Sequence, residues 1–155
     1  MNPPRFPEIS AARVQGLNAG PLRPEGDYVL YWMQQSQRAD WNHAFEYALR
    51  LANAHELPLV VGFGITGDYP GANARHYTFM VEGLQELQDA FADRQCRLVI
   101  RRGSPDAAAL ALAREAAAVV CDRGYLRHQR RWRRQVAREA ACGVIQVESD
   151  AVVPV

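Results

Sequence analysis

The stretch from Asp27 to Arg38 constrains the fold of this chain more than any other part of its sequence. Its apolar residues, Val29 to Met33, form an unbroken run that is typical of a β-strand covered on both faces, as the strands of parallel sheets are. The run stops abruptly at Gln34, and polar residues continue from there to Arg38. In an open parallel sheet, ligands bind just beyond the carboxyl ends of the strands. The stretch therefore predicts a first buried strand that is followed by either a ligand site or a solvated loop.

Apolar runs and amphipathic segments alternate along the rest of the chain. A second buried strand is predicted at 59–63, and further strands are predicted at 97–101, 118–121 and 144–147. Apolar residues at helical spacing predict one helix from Ala39 to Ala54, with Trp41 on its buried face, and a second that contains Tyr77 to Phe91. A third helix is predicted to begin at Ser104-Pro105-Asp106, which offers a hydroxyl cap, a proline in the first turn and an acid near the positive end of the helix dipole. The arginine-rich segment 123–138 predicts the fourth helix.

This alternation predicts an α/β fold with a five-stranded, parallel, doubly wound (Rossmann-like) sheet that has helices on both faces. The expected strand order is 3-2-1-4-5, in which the first and fourth strands are neighbours. That order would bring residues 34–38 and residues 122–128 to one crevice. Residues 1–26 are rich in proline and glycine and predict an irregular arm, so the α/β domain is expected to occupy residues 27–155.

Length and charge exclude several classes of protein. A chain of 155 residues with a net charge of +1 is neither a disordered tail nor a polycation that coats nucleic acid. No apolar run approaches the roughly 20 residues that cross a bilayer, and the N-terminus lacks the pattern of a signal peptide, so we expect a cytoplasmic protein without a membrane partner. The three cysteines, Cys96, Cys121 and Cys142, contain no CxxC pair, which argues against a disulfide framework and a zinc site.

Common catalytic motifs are absent from the sequence. No glycine-rich phosphate loop of the GxGxxG or GxxxxGK[ST] type follows a strand, and there is no GxSxG nucleophile elbow. Gly62 and Gly64 flank Phe63 at a strand end, where they favour close packing over ligand binding. The histidines lie one to an element without metal-ligand spacing, and His76 at the start of the second helix favours a surface or capping role. Asp40 and Asn42 are expected to cap the first helix.

The helix at 123–138 is the main concentration of charge in a nearly neutral chain. Its arginines could attract the phosphates of a nucleic acid, with help from Trp132. They could equally form a solvated face whose charges pair with acidic residues elsewhere, with Trp132 packed inward. Of these side chains, Arg123 and Arg127 lie nearest the end of the fourth strand and are better placed for a small ligand.

Four segments of the sequence resemble the N-terminal α/β domain of class II cyclobutane pyrimidine dimer DNA photolyases. They are YVLYWMQQSQRADWNHAFEYALRLAN, ANARHYTFMVEGLQEL, VVCDRGYLRHQRRWRRQV and VESDAVVPV, and their order and spacing match the family over most of residues 13–155. The segment RRGSP is also similar to a Gly-x-Pro signature that photolyases and cryptochromes share.

The resemblance implies a flavoprotein that repairs DNA. Photolyases bind ultraviolet-damaged DNA, flip the pyrimidine dimer into a pocket and split it by light-driven electron transfer from reduced FAD. In this family the FAD and the dimer are bound by a helical domain that follows the α/β domain. That FAD-binding domain is expected to be absent from this chain, to be its partner in the full-length protein and to carry the catalytic residues.

The resemblance also implies that the α/β domain can house an antenna pigment, such as an 8-hydroxy-5-deazaflavin, a folate or a flavin. In photolyases the antenna binds at the crevice that the strand order predicts here. The candidate pigment-binding residues are Met33, Gln34, Gln37, Arg38, Phe63, Asp122, Arg123, Tyr125 and Arg127. Apolar and aromatic members would pack on the ring system, and amides and arginines would bind its polar edge.

Two alternatives to a photolyase domain stay open at this point. The chain could be a stand-alone module that binds a nucleotide or a pigment. It could also be an accessory domain that binds DNA or protein through its arginine-rich helix.

Overall fold

Six strands form a single sheet in the computed structural model, which describes residues 8–154. They are β1 (Val14–Gly16), β2 (Tyr28–Trp32), β3 (Leu59–Ile65), β4 (Arg97–Arg102), β5 (Ala116–Asp122) and β6 (Gly143–Val147). Across the sheet they run in the order β1-β6-β5-β2-β3-β4. The strands from β2 to β6 pair in parallel, whereas β1 pairs antiparallel with β6. The class is therefore α/β with a mostly parallel sheet, as the alternation of strands and helices predicts.

The predicted count and order of strands are wrong for the sheet as a whole, because the N-terminal arm adds a sixth, antiparallel strand beside β6. Among themselves, the strands from β2 to β6 lie in the predicted relative order. Val14 pairs with Val147 and Gly16 with Ile145, so β1 covers the edge that β6 would otherwise expose. The arm is thus not wholly irregular, and a short 3-10 turn (Ala11–Arg13) precedes β1. The three residues of β1 are partly or fully exposed and form no apolar run, so only their backbone pairing with β6 defines the strand.

Four helices cover both faces of the sheet: α1 (His43–Ala54), α2 (Ala74–Ala92), α3 (Pro105–Ala113) and α4 (Arg127–Glu139). Alternate residues of β2 point to opposite faces. Val29 and Tyr31 pack in one hydrophobic core with residues of α1 and α2. Leu30 and Trp32 pack in a second core with residues of α3 and α4. The two connections that leave β2 and β5 therefore pass to different faces, which is what opens a crevice at the strand ends.

The first helix begins four residues later than the sequence predicts. Asn42 is its N-cap, and the Asn42 side chain accepts a hydrogen bond from the backbone N–H of Phe45 at 3.0 Å. Trp41 has a positive φ of 52° and is 74% exposed, so its predicted place on the buried helical face is wrong. Trp41 has a left-handed backbone conformation, so a right-handed helix cannot include it and α1 begins after it.

The starts of α2 and α3 differ in how they are capped. Asn73 and His76 form a reciprocal capping box at the start of α2, in which Nδ1 of His76 accepts from the backbone N–H of Asn73 at 3.1 Å. The capping role expected for His76 is confirmed. Ser104 occupies the N-cap position of α3, but within the described chain its hydroxyl makes no capping hydrogen bond, so this part of the prediction is wrong.

Two glycines of β3 let α3 approach the sheet closely. A Cβ at Gly62 would meet the side chain of Leu112 at 2.7 Å, and one at Gly64 would meet the backbone of Pro105 at 2.8 Å. Only glycine leaves this space open, which confirms the packing role expected for both residues.

Within residues 8–154, none of the helices combines the length and apolar character that crossing a membrane requires.

Candidate functional site

A crevice of about 710 Å³ opens at the carboxyl ends of β2 and β3. The loop after β2 forms one side, and the loop after β3 and α2 form the other. Gln129 and Trp132 of α4 close the end that faces β5. This is the position at which doubly wound sheets bind ligands, and the volume lies within the range of small-molecule pockets.

The walls of the crevice are mainly apolar. Met33 and Phe63 stand at the ends of β2 and β3 and are buried in the core beneath the crevice. Met80 and Leu87 of α2 and Trp132 of α4 add apolar surface. Such walls can bury the faces of a flat ring system.

Gln34 supplies a polar group that no described residue satisfies. The nitrogen and the oxygen of its side-chain amide are both buried, and neither has a hydrogen-bond partner in residues 8–154. Gln34 also lines the crevice. Because buried amides are normally hydrogen-bonded, this donor and this acceptor are available to water or to a bound molecule.

An aromatic cluster joins the loop after β3 to α4 beside the crevice. The hydroxyl of Tyr69 and Nε2 of His128 form a hydrogen bond of 2.9 Å, and their rings meet edge to face at 4.8 Å. The His128 ring also contacts the Trp132 ring at 5.0 Å. Burial raises the pKa of the Tyr69 hydroxyl. The cluster holds Trp132 in place at the wall of the crevice.

Asp122 does not line the crevice, although it was a candidate ligand residue. Its carboxylate is buried and accepts hydrogen bonds from the backbone N–H groups of Gln34, Gln35 and Ser36 at 2.9, 3.0 and 3.1 Å. Burial raises the pKa of Asp122, and the hydrogen bonds from the backbone and from Tyr31 oppose that rise. Asp122 thus shapes the loop that forms the crevice instead of facing a ligand.

Gln37 and Arg38 line the crevice, but Arg38 is largely committed to the C-terminal segment. Its guanidinium contacts the Asp150 carboxylate at 3.1 Å and donates to the backbone carbonyl of Ser149 at 3.0 Å. Gln37 is exposed at the rim, where its amide makes one long bond of 3.4 Å to the carbonyl of Gln34.

Arg123, Tyr125 and Arg127 lie outside the crevice. The backbone N–H of Arg123 donates to the carbonyl of Val147, which continues the pairing of β5 with β6 and carries this segment away from β2. The hydroxyl of Tyr125 donates to Glu148, and the guanidinium of Arg123 lies 3.9 Å from the same carboxylate. Arg127 is exposed at the start of α4 and contributes nothing to the crevice lining.

Of the nine candidates, the structure brings five together at the crevice: Met33, Gln34, Gln37, Arg38 and Phe63. The residues that sequence reasoning missed come from the loop after β3, from α2 and from the inner side of α4, and include Tyr69, Met80, Gln129 and Trp132. The glycine- and proline-rich loop at 66–73 was the available signal, because such loops often border sites at strand ends. In the described part of the chain, no cluster of three or more His, Cys, Asp or Glu side chains could hold a metal ion.

A model of the DNA photolyase family matches residues 29–155. The chain belongs to the DNA photolyase family. Over 147 residues it is 46% identical to the deoxyribodipyrimidine photo-lyase of Methanothermobacter thermautotrophicus, in an alignment that covers 95% of this chain and 33% of that protein. Over 138 residues it is 31% identical to the deoxyribodipyrimidine photo-lyase of Potorous tridactylus, covering 86% of this chain and 26% of that protein. The chain spans a third or less of the length of these curated photolyases.

Solved structures outside the photolyase family share the fold. Universal stress protein UspA from Lactobacillus plantarum aligns with a TM-score of 0.56 and 16% identity, over 79% of this chain and 98% of that one. The universal stress protein from Archaeoglobus fulgidus in complex with dAMP aligns with a TM-score of 0.52 and 16% identity, over 77% of this chain and 96% of that one. At such identities the likeness shows the fold alone.

Proposed function

We propose that this chain is the N-terminal α/β part of a class II cyclobutane pyrimidine dimer photolyase and that its crevice holds a light-harvesting antenna pigment. The match of the family model over residues 29–155 carries the assignment to a repair enzyme. The 46% identity to a deoxyribodipyrimidine photo-lyase over 95% of the chain supports it.

In this proposal the chemistry of repair belongs to the rest of the full-length protein. Its partners are the C-terminal FAD-binding domain of the same protein and ultraviolet-damaged DNA. Reduced FAD, bound in that domain, would supply the electron that splits the dimer under light. The residues of the present chain hold no catalytic role, and their task is to bind the antenna and to support the FAD-binding domain.

The unsatisfied amide of Gln34 is the observation that carries the antenna proposal. Deazaflavins, flavins and the pterin ring of folates are flat, and each presents an amide-like edge with adjacent donors and acceptors. The Gln34 side chain can donate to a ring carbonyl and accept from a ring N–H at the same time. Phe63, Met80 and Trp132 offer apolar surface for the faces of such a ring, and Gln37 at the rim can bind a polar substituent.

The antenna proposal is tested by co-elution. The purified chain is mixed separately with an 8-hydroxy-5-deazaflavin, a folate and a flavin, and visible or near-ultraviolet absorbance is followed through gel filtration. We expect one of the three to elute with the protein and to be lost from the variant Gln34→Leu. Gln88→Leu is the matched control, because Gln88 is exposed on α2 and does not line the crevice.

Three results would count against the antenna site. They are a failure of all three pigments to co-elute, equal losses in the two variants, and, in a parallel run with AMP, co-elution of AMP when no pigment co-elutes. The last result would favour the stand-alone nucleotide module. For the repair assignment, we expect the isolated chain to leave dimers intact when it receives FAD and light. Repair by this chain alone would contradict the placement of catalysis in the FAD-binding domain.

A further inference from the structure

A second groove, of about 610 Å³, runs along the side of α4 that faces away from the crevice. Gln129 and Trp132 of α4 line the crevice, whereas Arg130, Arg133 and Arg134 line this groove. The α4 helix is therefore a wall between two separate cavities. The far side of the groove is built by Gln15 and Leu17 of the N-terminal arm and by Gln146 of β6. The side-chain amides of Gln15 and Gln146 are hydrogen-bonded to each other at 2.8 Å across the β1–β6 pair.

The lining of this groove carries a strong excess of positive charge. Besides the three arginines of α4 already named, Arg123 and Arg138 line it. Arg123 faces Glu148 at 3.9 Å, and Arg138 lies 3.6 Å from Glu139. Within residues 8–154 neither Arg130, Arg133 nor Arg134 forms an ion pair with a carboxylate. Arg130, Arg133 and Arg134 thus stand in this groove without an ion-pair partner in the described part of the chain.

Arg133 is the decisive member of the set. It is only 8% exposed, and its Nη1 atom is buried without a hydrogen-bond partner among the described residues. A guanidinium N–H that is buried without an acceptor is costly unless water or an anion completes it. Burial lowers the pKa of the Arg133 guanidinium, and the positive charges of Arg123 and Arg130 lower it further. An anion in the groove would relieve both effects.

The spacing of the arginines favours a row of anions over a single one. Arg130, Arg134 and Arg138 follow at intervals of four residues, which places them about 6 Å apart along the helix axis. Successive phosphates of an extended nucleic-acid strand are separated by a comparable distance. Guanidinium groups bind phosphate oxygens through paired, charge-assisted hydrogen bonds.

We propose that this groove is a binding site for consecutive phosphate groups, with Arg130, Arg133 and Arg134 as its main donors. Two sources share this chemistry: the backbone of a single nucleic-acid strand and a free polyphosphate chain. The inference does not rest on the proposed antenna or repair role, because the groove and the crevice lie on opposite sides of α4.

The test measures binding of a fluorescein-labelled oligothymidylate to the 155-residue chain by fluorescence anisotropy at several salt concentrations. Tripolyphosphate is measured in parallel by calorimetry. We expect Arg130→Gln and Arg134→Gln each to weaken oligothymidylate binding severalfold. Each should also reduce the slope of log K against log salt by about 0.7, the value for one lost phosphate contact to a single strand. Arg131→Gln removes the same charge from the same helix at an exposed position outside the groove, so its salt slope should match that of the parent protein.

Arg133→Gln tests the buried donor, and its melting temperature is recorded because this change also alters packing. The exposed variants at 130 and 134 keep the proposal testable if the Arg133 variant unfolds. Binding of the oligothymidylate with only weak competition by tripolyphosphate identifies a nucleic-acid strand as the source. Tight binding of tripolyphosphate alone identifies a free polyphosphate. Binding of neither probe, or an equal loss in Arg131→Gln and Arg130→Gln, overturns the phosphate site.

Discussion

The hydroxyl of Tyr31 donates a hydrogen bond to Oδ1 of Asp122 across 2.7 Å, and both side chains are buried. This bond links β2 to β5, the two strands from which the chain departs toward opposite faces of the sheet. The other carboxylate oxygen, Oδ2, accepts from three consecutive backbone N–H groups of the loop after β2. One buried acid therefore fixes the loop that forms a side of the crevice.

We expect Asp122→Ala to lower the free energy of unfolding by at least about 2 kcal/mol, because leaving one buried donor unsatisfied costs about 1–3 kcal/mol and several donors would lose this acceptor. Urea denaturation followed by circular dichroism measures the loss. Asp89→Asn is the control, since Asp89 is exposed on α2, and it should change stability by less than about 0.5 kcal/mol. An Asp122→Ala variant as stable as this control would show that the loop does not depend on the carboxylate.

The buried ion pair between Arg94 and Glu46 predicts a different pattern. Their charged atoms are 2.6 Å apart, and Arg94 also donates to the carbonyl of Ala39 and stacks over the Phe45 ring at 4.7 Å. Arg94→Met should cost about 3–5 kcal/mol, because it leaves the Glu46 charge buried without this guanidinium. The double variant Glu46→Leu/Arg94→Met should recover much of that loss, since it removes both buried charges.

A double-mutant cycle by urea denaturation measures this coupling. Glu139→Gln breaks an exposed pair with Arg138 and should cost no more than about 1 kcal/mol. The interpretation fails if the double variant is as unstable as the sum of the two single variants, because the two charges would then act independently.

Glu148 predicts a dependence of stability on pH. Burial raises the pKa of its carboxyl, but the net shift is below the ordinary value of 4.5. The pKa is lowered by the hydrogen bond from Tyr125, by those from the backbone N–H groups of Ala151 and Asp150, and by the positive charge of Arg123. A carboxyl whose pKa is lower in the folded state contributes stability above its unfolded pKa and loses it as the pH falls toward the folded value. Glu148→Gln should therefore be less stable than the parent at pH 7, and the difference should shrink below about pH 4.5.

Urea denaturation of both proteins at a series of pH values measures that difference directly. Glu86→Gln makes the same charge change at an exposed position of α2 and should show little dependence over the same range. A gap between parent and Glu148→Gln that stays constant from pH 7 to below 4.5 would mean that the charge of Glu148 does not stabilise the fold.

Local pattern in the sequence determined the class of this fold. The run from Val29 to Met33 and the later apolar runs predict parallel strands, because a strand that is covered on both faces must be apolar at every position. The abrupt change at Gln34 predicts where β2 ends, since the polarity of a strand end can be read without knowledge of its neighbours, and the crevice opens at that end. Even so, the spacing of apolar residues predicts a helical position for Trp41, and the left-handed backbone at that residue excludes it from the helix.

Only the tertiary structure decided which elements face one another. β1 exists because the edge of β6 offers unpaired backbone groups, and nothing in residues 14–16 alone requires a strand. The second side of the crevice comes from α2, and its end wall comes from Trp132. Arg123 and Tyr125 lie near Glu148 instead, because β5 continues to pair with β6 beyond its apolar run. Sequence spacing gives the face of an element on which a side chain lies. The partner that this face meets depends on contacts between residues far apart in the chain.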